Sequence, residues 1–453
     1  MTLILLLSLA ASEIALAILC GKAKADKKLW RKNRLIFRAA QTVLALLLVL
    51  LPVGQNWRFV PLLAVLLLLL LIAGLKWLAV CKKDVTGSKT GARIGSCVLS
   101  ILLFALLLVP AFLFTGYKGL PVTGNHKVDM TSAILIDKTR TDPFEQDGSF
   151  REVPVHFYYP TDAAAGEQFP LVVFSHGAFG YYESNTSTYM ELASNGYVVA
   201  ALDHPHHAFF TQDTAGQTVV VDTGFFQTAT GLGNPYEDPE TYYPVFRDWM
   251  ALRTADVNAV LDLLEAAGTA GATDENWFVQ PKEQDAVLRV LAMTDFTKIG
   301  LMGHSMGGAT AVQVGRERDD ISAVIDLDGT MLGEYLGAED GSFVVNEEPY
   351  PIPVLEFANW EAYNDLETYR TLGYPYPNIE LISHAPDAHF TTVRDTLHMD
   401  FTDLPLLSPT LGDMFGSGTR DTAEVLGLVN PLVREFFDCY LKGEGAFSVQ
   451  DIY

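Results

Sequence analysis

The stretch IGLMGHSMGGATAV, residues 299–312, places Ser305 between Gly303 and Gly307, with an apolar run before it and small residues after it. A lone Gly-x-Ser-x-Gly carries little weight. Here KIGLM reads as a strand and GGATAVQVGRE as a helix, so the serine falls on a sharp strand-to-helix turn that would hold its hydroxyl out at the top of a sheet. The glycines permit that bend and let helix pack on strand. A helix starting just past Ser305 also aims its first amides, and its positive dipole end, at negative charge developing there.

A serine hydroxyl attacks a carbonyl only when a base removes its proton, and the base needs a carboxylate to orient it. On a strand–elbow–helix scaffold the chain order is serine, acid, histidine. The next strand, ISAVIDLDG, ends in Asp326 and Asp328, two residues apart and both able to lie on one face. Asp328 is nearer the strand end and is preferred; Asp326 is the fallback. Downstream come His384, His389 and His398, and spacing leaves all three open. The amides of Met306, after the nucleophile, and of Ala178, in the earlier loop VVFSHGAFG, are the expected oxyanion donors. His176 precedes the serine and reads as structural.

These residues need a scaffold. VPVHFYYP (153–160), FPLVVFSHG (169–177), GYVVAALDH (196–204), FTKIGLMG (296–303), ISAVIDLDG (321–329), IPVLEFANW (352–360) and NIELISHA (378–385) read as strands. Helical stretches, including 243–268 and 422–441, separate or follow them. Such alternation predicts an α/β domain, a mostly parallel sheet with helices on both faces. Residues 205–240 and 386–418 fit neither pattern and read as lid insertions.

Before Lys118 the composition differs. Four apolar runs, roughly 2–20, 35–53, 59–80 and 94–114, are each near the length that crosses a bilayer. They predict an all-α bundle of four transmembrane helices over residues 1–117, with the catalytic domain at 118–453. The linker GKAKADKKLWRKNR has seven basic residues against one acidic, and KKDVTGSKTGAR is also basic, whereas GQNW with Arg58 is nearly bare. Short basic loops stay in the cytoplasm, so the N-terminus and everything after Phe114 should face outward. Arg38 and Lys76 lie near cytoplasmic ends, where long side chains snorkel. With few polar groups besides Glu13, Arg38, Gln41 and Lys76, the spans read as an anchor. Residues 118–453 hold 17 of the 31 basic and 51 of the 54 acidic residues, a net −34 that disfavours nucleic acid as a partner.

Cysteine is sparse. Cys439 is alone in the outer domain, so no disulfide forms within it, and Cys20, Cys81 and Cys97 sit in or beside the spans. LDHPHH (202–207) follows a strand end directly and is not read as a metal site. The chemistry at Ser305 requires no cofactor.

Taken as a set, PVTGNHKVD, FPLVVFSHGAFG, LASNGYVVAALDH, GHSMGGATAV, VIDLDGTM and LHMDFTDLP resemble the lipoprotein-associated platelet-activating-factor acetylhydrolase family and its bacterial lipase-like relatives among the α/β-hydrolases. The resemblance covers about residues 118–441. It implies the α/β-hydrolase fold, with Ser305 as nucleophile, Asp328 as acid, His398 as base and Ala178 and Met306 as oxyanion donors. About a dozen residues, PDAHFTTVRDTL, separate the presumed last strand from His398, more than the family pattern has, which keeps His389 as a fallback. The expected activity is hydrolysis of a small-molecule or lipid carboxylic ester at the outer face of the cell membrane. A peptidase or amidase, and a non-catalytic membrane-tethered binding module, are the competing readings.

Overall fold

The computed structural model describes residues 2–22, 26–50, 56–81, 90–114, 117 and 119–453. The expected boundary at Lys118, and Lys24, Lys82, Lys83 and Lys89 of the orienting loops, lie outside the described residues. The chain forms two compact units, one of Met1–Gly119 with Leu406–Gly412 and one of Leu120–Pro405 with Asp413–Tyr453.

The first unit contains α1 (Thr2–Lys22), α2 (Lys27–Leu50), α3 (Val60–Cys81) and α4 (Thr90–Leu107). By length and composition all four are able to cross a membrane. Leu5, Leu9, Leu62, Leu66 and Phe104 pack in their interior. Arg38 does not snorkel: it is 1% exposed, bonds Glu13 at 2.5 Å and Ser100 Oγ at 2.7 Å, and shares Glu13 with Gln41. A guanidinium away from water needs a counter-charge, and Glu13 on the neighbouring helix supplies it.

The second unit is built on one nine-stranded sheet. Its strands are β1 (Val128–Thr141), β2 (Phe150–Pro160), β3 (Phe169–Ser175), β4 (Val198–Leu202), β5 (Trp277–Phe278), β6 (Thr294–His304), β7 (Ile321–Leu327), β8 (Val354–Ala358) and β9 (Ala388–Thr392), in the order β9-β8-β7-β6-β3-β4-β2-β1-β5. From β9 through β4 neighbouring strands are parallel; β2, β1 and β5 complete an antiparallel edge. The mixed α/β architecture with a large central sheet matches expectation.

Strand alternation splits the core. Leu171 and Val173 of β3, with Val198, Ala200 and Leu202 of β4, meet Val257, Val260, Leu261 and Leu264 of α6 (Pro239–Ala270) on one face. Val172, Phe174, Val199 and Ala201 meet α5 (Thr186–Ser194) and α8 (Thr422–Phe437) on the other. Both faces are covered, which is why these strands read as unbroken apolar runs. Each buried Val, Leu or Phe contributes about 1.5–3 kcal/mol. The helix after Ser305 is α7 (Met306–Glu317).

One expected strand is not a strand. In place of a strand over 378–385 there is the helix Pro377–His384. Pro377 lacks an N–H and has its φ preset, which suits a first helical position, and Asn378 and Leu381 bury the i, i+3 face. The last strand is β9, inside the segment 386–418 that the sequence presented as irregular. It was hidden because AHFTT has no apolar run; its edge is closed by the chain end, with Thr392 N–H bonding Asp451 O and Tyr453 N–H bonding Thr392 O. Within 205–240 lie a hairpin (210–212 with 218–220) and the helix Thr223–Gly231.

Candidate active site

Ser305 stands between β6 and α7 at φ 57°, ψ −126°, a sparsely populated positive-φ conformation that costs a non-glycine residue about 1–3 kcal/mol. Surrounding contacts hold it there. Ser305 N–H bonds Leu327 O at 2.9 Å, tying the elbow to the end of β7. A Cβ on Gly303 would lie 2.2 Å from the Gly307 carbonyl carbon, and one on Gly307 would lie 1.9 Å from Ser175 O. Helix, elbow and β3 approach so closely that only glycine fits at either position.

Asp328 follows the last residue of β7 and also has φ 57°. Strand alternation has ended there, so Asp326 and Asp328 do not share a face. The Asp328 carboxylate is 5% exposed, accepts Asn359 N–H at 2.6 Å and Asn359 Nδ2 at 3.1 and 2.9 Å, and lies 2.6 Å from His398 Nδ1. His398 opens the turn His398–Phe401, six residues past β9. Its side chain is 41% exposed, and its backbone oxygen accepts from Nε2 of His304, the residue before the serine, at 3.0 Å. Burial and the neighbouring His398 hold His304 well below the usual imidazole range, so it acts as a neutral donor.

The fallbacks lie elsewhere. Asp326 is fully buried, accepts Gly329 N–H at 2.9 Å and sits beside Glu356 of β8 in the parallel register. Burial and Glu356 push its carboxyl well above the usual range. His389 points from β9 to Tyr440 (3.0 Å) and Asp387 (3.2 Å), packed on Phe436 and Phe447. His384 is exposed and bonds Glu380 O in its own helix.

The loop after β3 lies against the elbow: a Cβ on Gly177 would be 3.1 Å from Ser305 Cβ. Among the described residues no acceptor is bonded to the Ala178 or Met306 N–H. Ala178, Phe179 and Met306 border an aromatic cluster of Phe225, Phe246, Trp249, Tyr335 and Phe343.

Sequence reasoning missed what lies under this loop. The LDHPHH imidazoles are held within the protein: His204 Nδ1 lies 3.0 Å from Asp256 and its Nε2 2.7 Å from Ser175 Oγ, while His207 stacks on Phe225. Burial, with Arg253 adding to it, lowers His204 to about 4 and His207 to about 2, so both are neutral. Burial alone would raise Asp256, but Arg151 outweighs it and holds the carboxylate well below its ordinary range. Arg253 and Asp256 lie in a helix whose charged positions look solvent-facing in sequence; only the unusual run of three histidines nearby hinted at a buried polar network.

A family model described as platelet-activating factor acetylhydrolase, isoform II, matches residues 149–447. Platelet-activating factor acetylhydrolase of Cavia porcellus is 24% identical over 292 residues, 61% of this chain and 58% of that one. The Bos taurus protein of the same name is 25% identical over 305 residues, 63% of this chain and 60% of that one. The chain thus spans about three fifths of the length of these relatives. Among solved structures, a ferulic acid esterase from Streptomyces cinnamoneus aligns at a TM-score of 0.49 and 23% identity, over 72% of this chain and 93% of that one.

Proposed function

The chain belongs to the platelet-activating factor acetylhydrolase, isoform II, family, and from that premise we propose that it is a serine hydrolase of carboxylic esters acting through an acyl-enzyme. Ser305 is the nucleophile, His398 the general base and Asp328 its orienting carboxylate. The observation that carries the reading is the 2.6 Å contact of His398 Nδ1 with Asp328, in a turn bonded to the residue that precedes a strained serine. An Nδ1–H donated to Asp328 leaves Nε2 as the basic nitrogen.

His398 takes the Ser305 proton as the oxygen attacks the ester carbonyl. The tetrahedral oxyanion rests on the Ala178 and Met306 N–H groups, which have no other acceptor among the described residues. The imidazolium protonates the departing alcohol, and water then releases the acyl group by the same route reversed. The relatives are named for platelet-activating factor, and a lipophilic ester fits a site bordered by an aromatic cluster. The four apolar helices would anchor the enzyme in a membrane, the hydrolase unit facing away from the cytoplasm.

The test is a panel of p-nitrophenyl esters of increasing acyl length, run beside the matching anilides on the purified full chain. Turnover of short-chain esters that is lost in Ser305→Ala supports the proposal; turnover of anilides alone refutes it.

A further inference from the structure

One fully buried cation near the site has no part in the scheme above. Arg253, on α6, is 0% exposed. Its Nη1 donates to His176 O, its Nη2 to Gly177 O at 3.3 Å and its Nε to His207 Nδ1 at 3.3 Å. Among the described residues it donates to no carboxylate. Asp256, one turn further along α6, gives its oxygens to Arg151, Arg140 and His204 instead. A buried guanidinium costs several kcal/mol in desolvation unless its donors and charge are answered. This one spends two of its three bonding nitrogens on consecutive carbonyls of the loop that carries Ala178.

We infer that Arg253 is a positioning residue that aims and polarises the Ala178 N–H toward the oxyanion formed on Ser305. The peptide joining Gly177 to Ala178 is a rigid trans plane, so its C=O and N–H point in opposite directions. Anchoring the Gly177 oxygen on the α6 side therefore turns the Ala178 N–H away from α6. The oxygen is held from three directions, by His176 Nδ1 at 2.6 Å, Gly180 N–H at 3.1 Å and Arg253. Of these only the guanidinium carries charge. A cationic donor on a carbonyl draws electron density from the amide nitrogen and strengthens the N–H as a donor. His207 adds a second tie, since its own backbone oxygen accepts Phe179 N–H at 3.1 Å. The loop's left-handed residue Phe179, at φ 61°, is thus fixed on both sides by groups that converge on Arg253.

This inference rests on the Ser305 reading, and its test separates the two. Arg253→Met, which keeps the stem and removes every donor, and Arg253→Lys, which keeps charge but offers one nitrogen, are compared with wild type as full chains. The substrate is p-nitrophenyl acetate, with a trifluoromethyl ketone as the oxyanion-forming inhibitor. Removing a donor from an oxyanion hole costs about 10²–10³ in kcat, and misaiming one costs less, so Arg253→Met should lose about 10–100-fold in kcat with KM nearly unchanged. The ketone's affinity should fall by the same factor while that of the product alcohol stays constant. Arg253→Lys should fall between, with the same split. Arg140→Met removes a cation from the outer side of Asp256 and should leave kcat as in wild type. A kcat within about threefold of wild type in Arg253→Met, or in Arg253→Lys should Arg253→Met not fold, overturns the inference. So does an equal loss of ketone and alcohol affinity, which marks general damage. If wild type turns over no ester and the ketone does not bind, it is the Ser305 reading that fails.

Discussion

Asp328→Asn keeps the side chain's size and removes the negative charge from the His398 imidazole. The surroundings decide which way the new amide turns. At the Oδ1 place the partner is the backbone N–H of Asn359, 2.6 Å away, with Asn359 Nδ2 at 3.1 Å. An NH2 group put there would face two donors and strand a buried backbone N–H, at a cost of about 1–3 kcal/mol. The amide oxygen therefore takes that place and the NH2 faces His398 Nδ1. That nitrogen must then accept, so the ring proton moves to Nε2, the atom that has to be empty to receive the Ser305 proton. A triad locked in this tautomer loses about 10⁴ in kcat, roughly 5.4 kcal/mol in the barrier. Because Asn359 Nδ2 also lies 2.9 Å from the Oδ2 place and opposes the turned amide there, a loss of about 10³–10⁴ is expected, with KM little changed. The assay is steady-state hydrolysis of p-nitrophenyl acetate near neutral pH, with thermal melting to confirm folding. A folded variant that loses less than about tenfold would refute the reasoning. Asp326→Asn, whose carboxyl serves Gly329 N–H, should keep kcat within about threefold.

His389→Gln should leave kcat unaltered, since the ring bonds Tyr440 and Asp387; steady-state kinetics showing a loss comparable to that of His398→Gln would assign the base wrongly. Glu356 is pushed up to about 8 from an ordinary 4.5, by burial first and the Asp328 charge also, against a bond from Asn378. A raised carboxyl means the folded chain holds a proton the unfolded chain has released. Stability is therefore full below about 4.5 and is lost as pH rises through that window toward 8, about 1.4 kcal/mol for each pH step from this group. Glu356→Gln, which can still accept from Asn378, should show a shallower fall of Tm between mildly acidic and alkaline pH; parallel wild-type and variant curves would contradict this.

The sequence showed the parts of the site that depend on local geometry. GHSMGG announces its elbow because a Cβ on either glycine would lie only 2.2 or 1.9 Å from neighbouring backbone atoms. Asp328 stands just past the strand's end, and there it departs from strand alternation. Spacing leaves the histidine open because the last strand has no apolar run. NIELISHA has one and is a helix started by Pro377; AHFTT has none and is β9, so His398 follows the last strand by six residues rather than by a long detour. The residues PDAHFTTVRDTL are thus largely the missing strand and its exit. The network under Ala178 was hidden for another reason. Arg253, Asp256, His204 and Ser175 come from three separate segments and acquire meaning only when β3, β4 and α6 are packed together.

The central claim is that the Ser305 oxygen is activated by His398 for attack on a carbonyl. Treating the full chain with a fluorophosphonate and mapping the adduct by mass spectrometry tests it most directly. The account predicts one adduct, on Ser305, absent in Ser305→Ala and formed far more slowly in His398→Gln. No adduct on the wild type, or one that persists in Ser305→Ala, would contradict it.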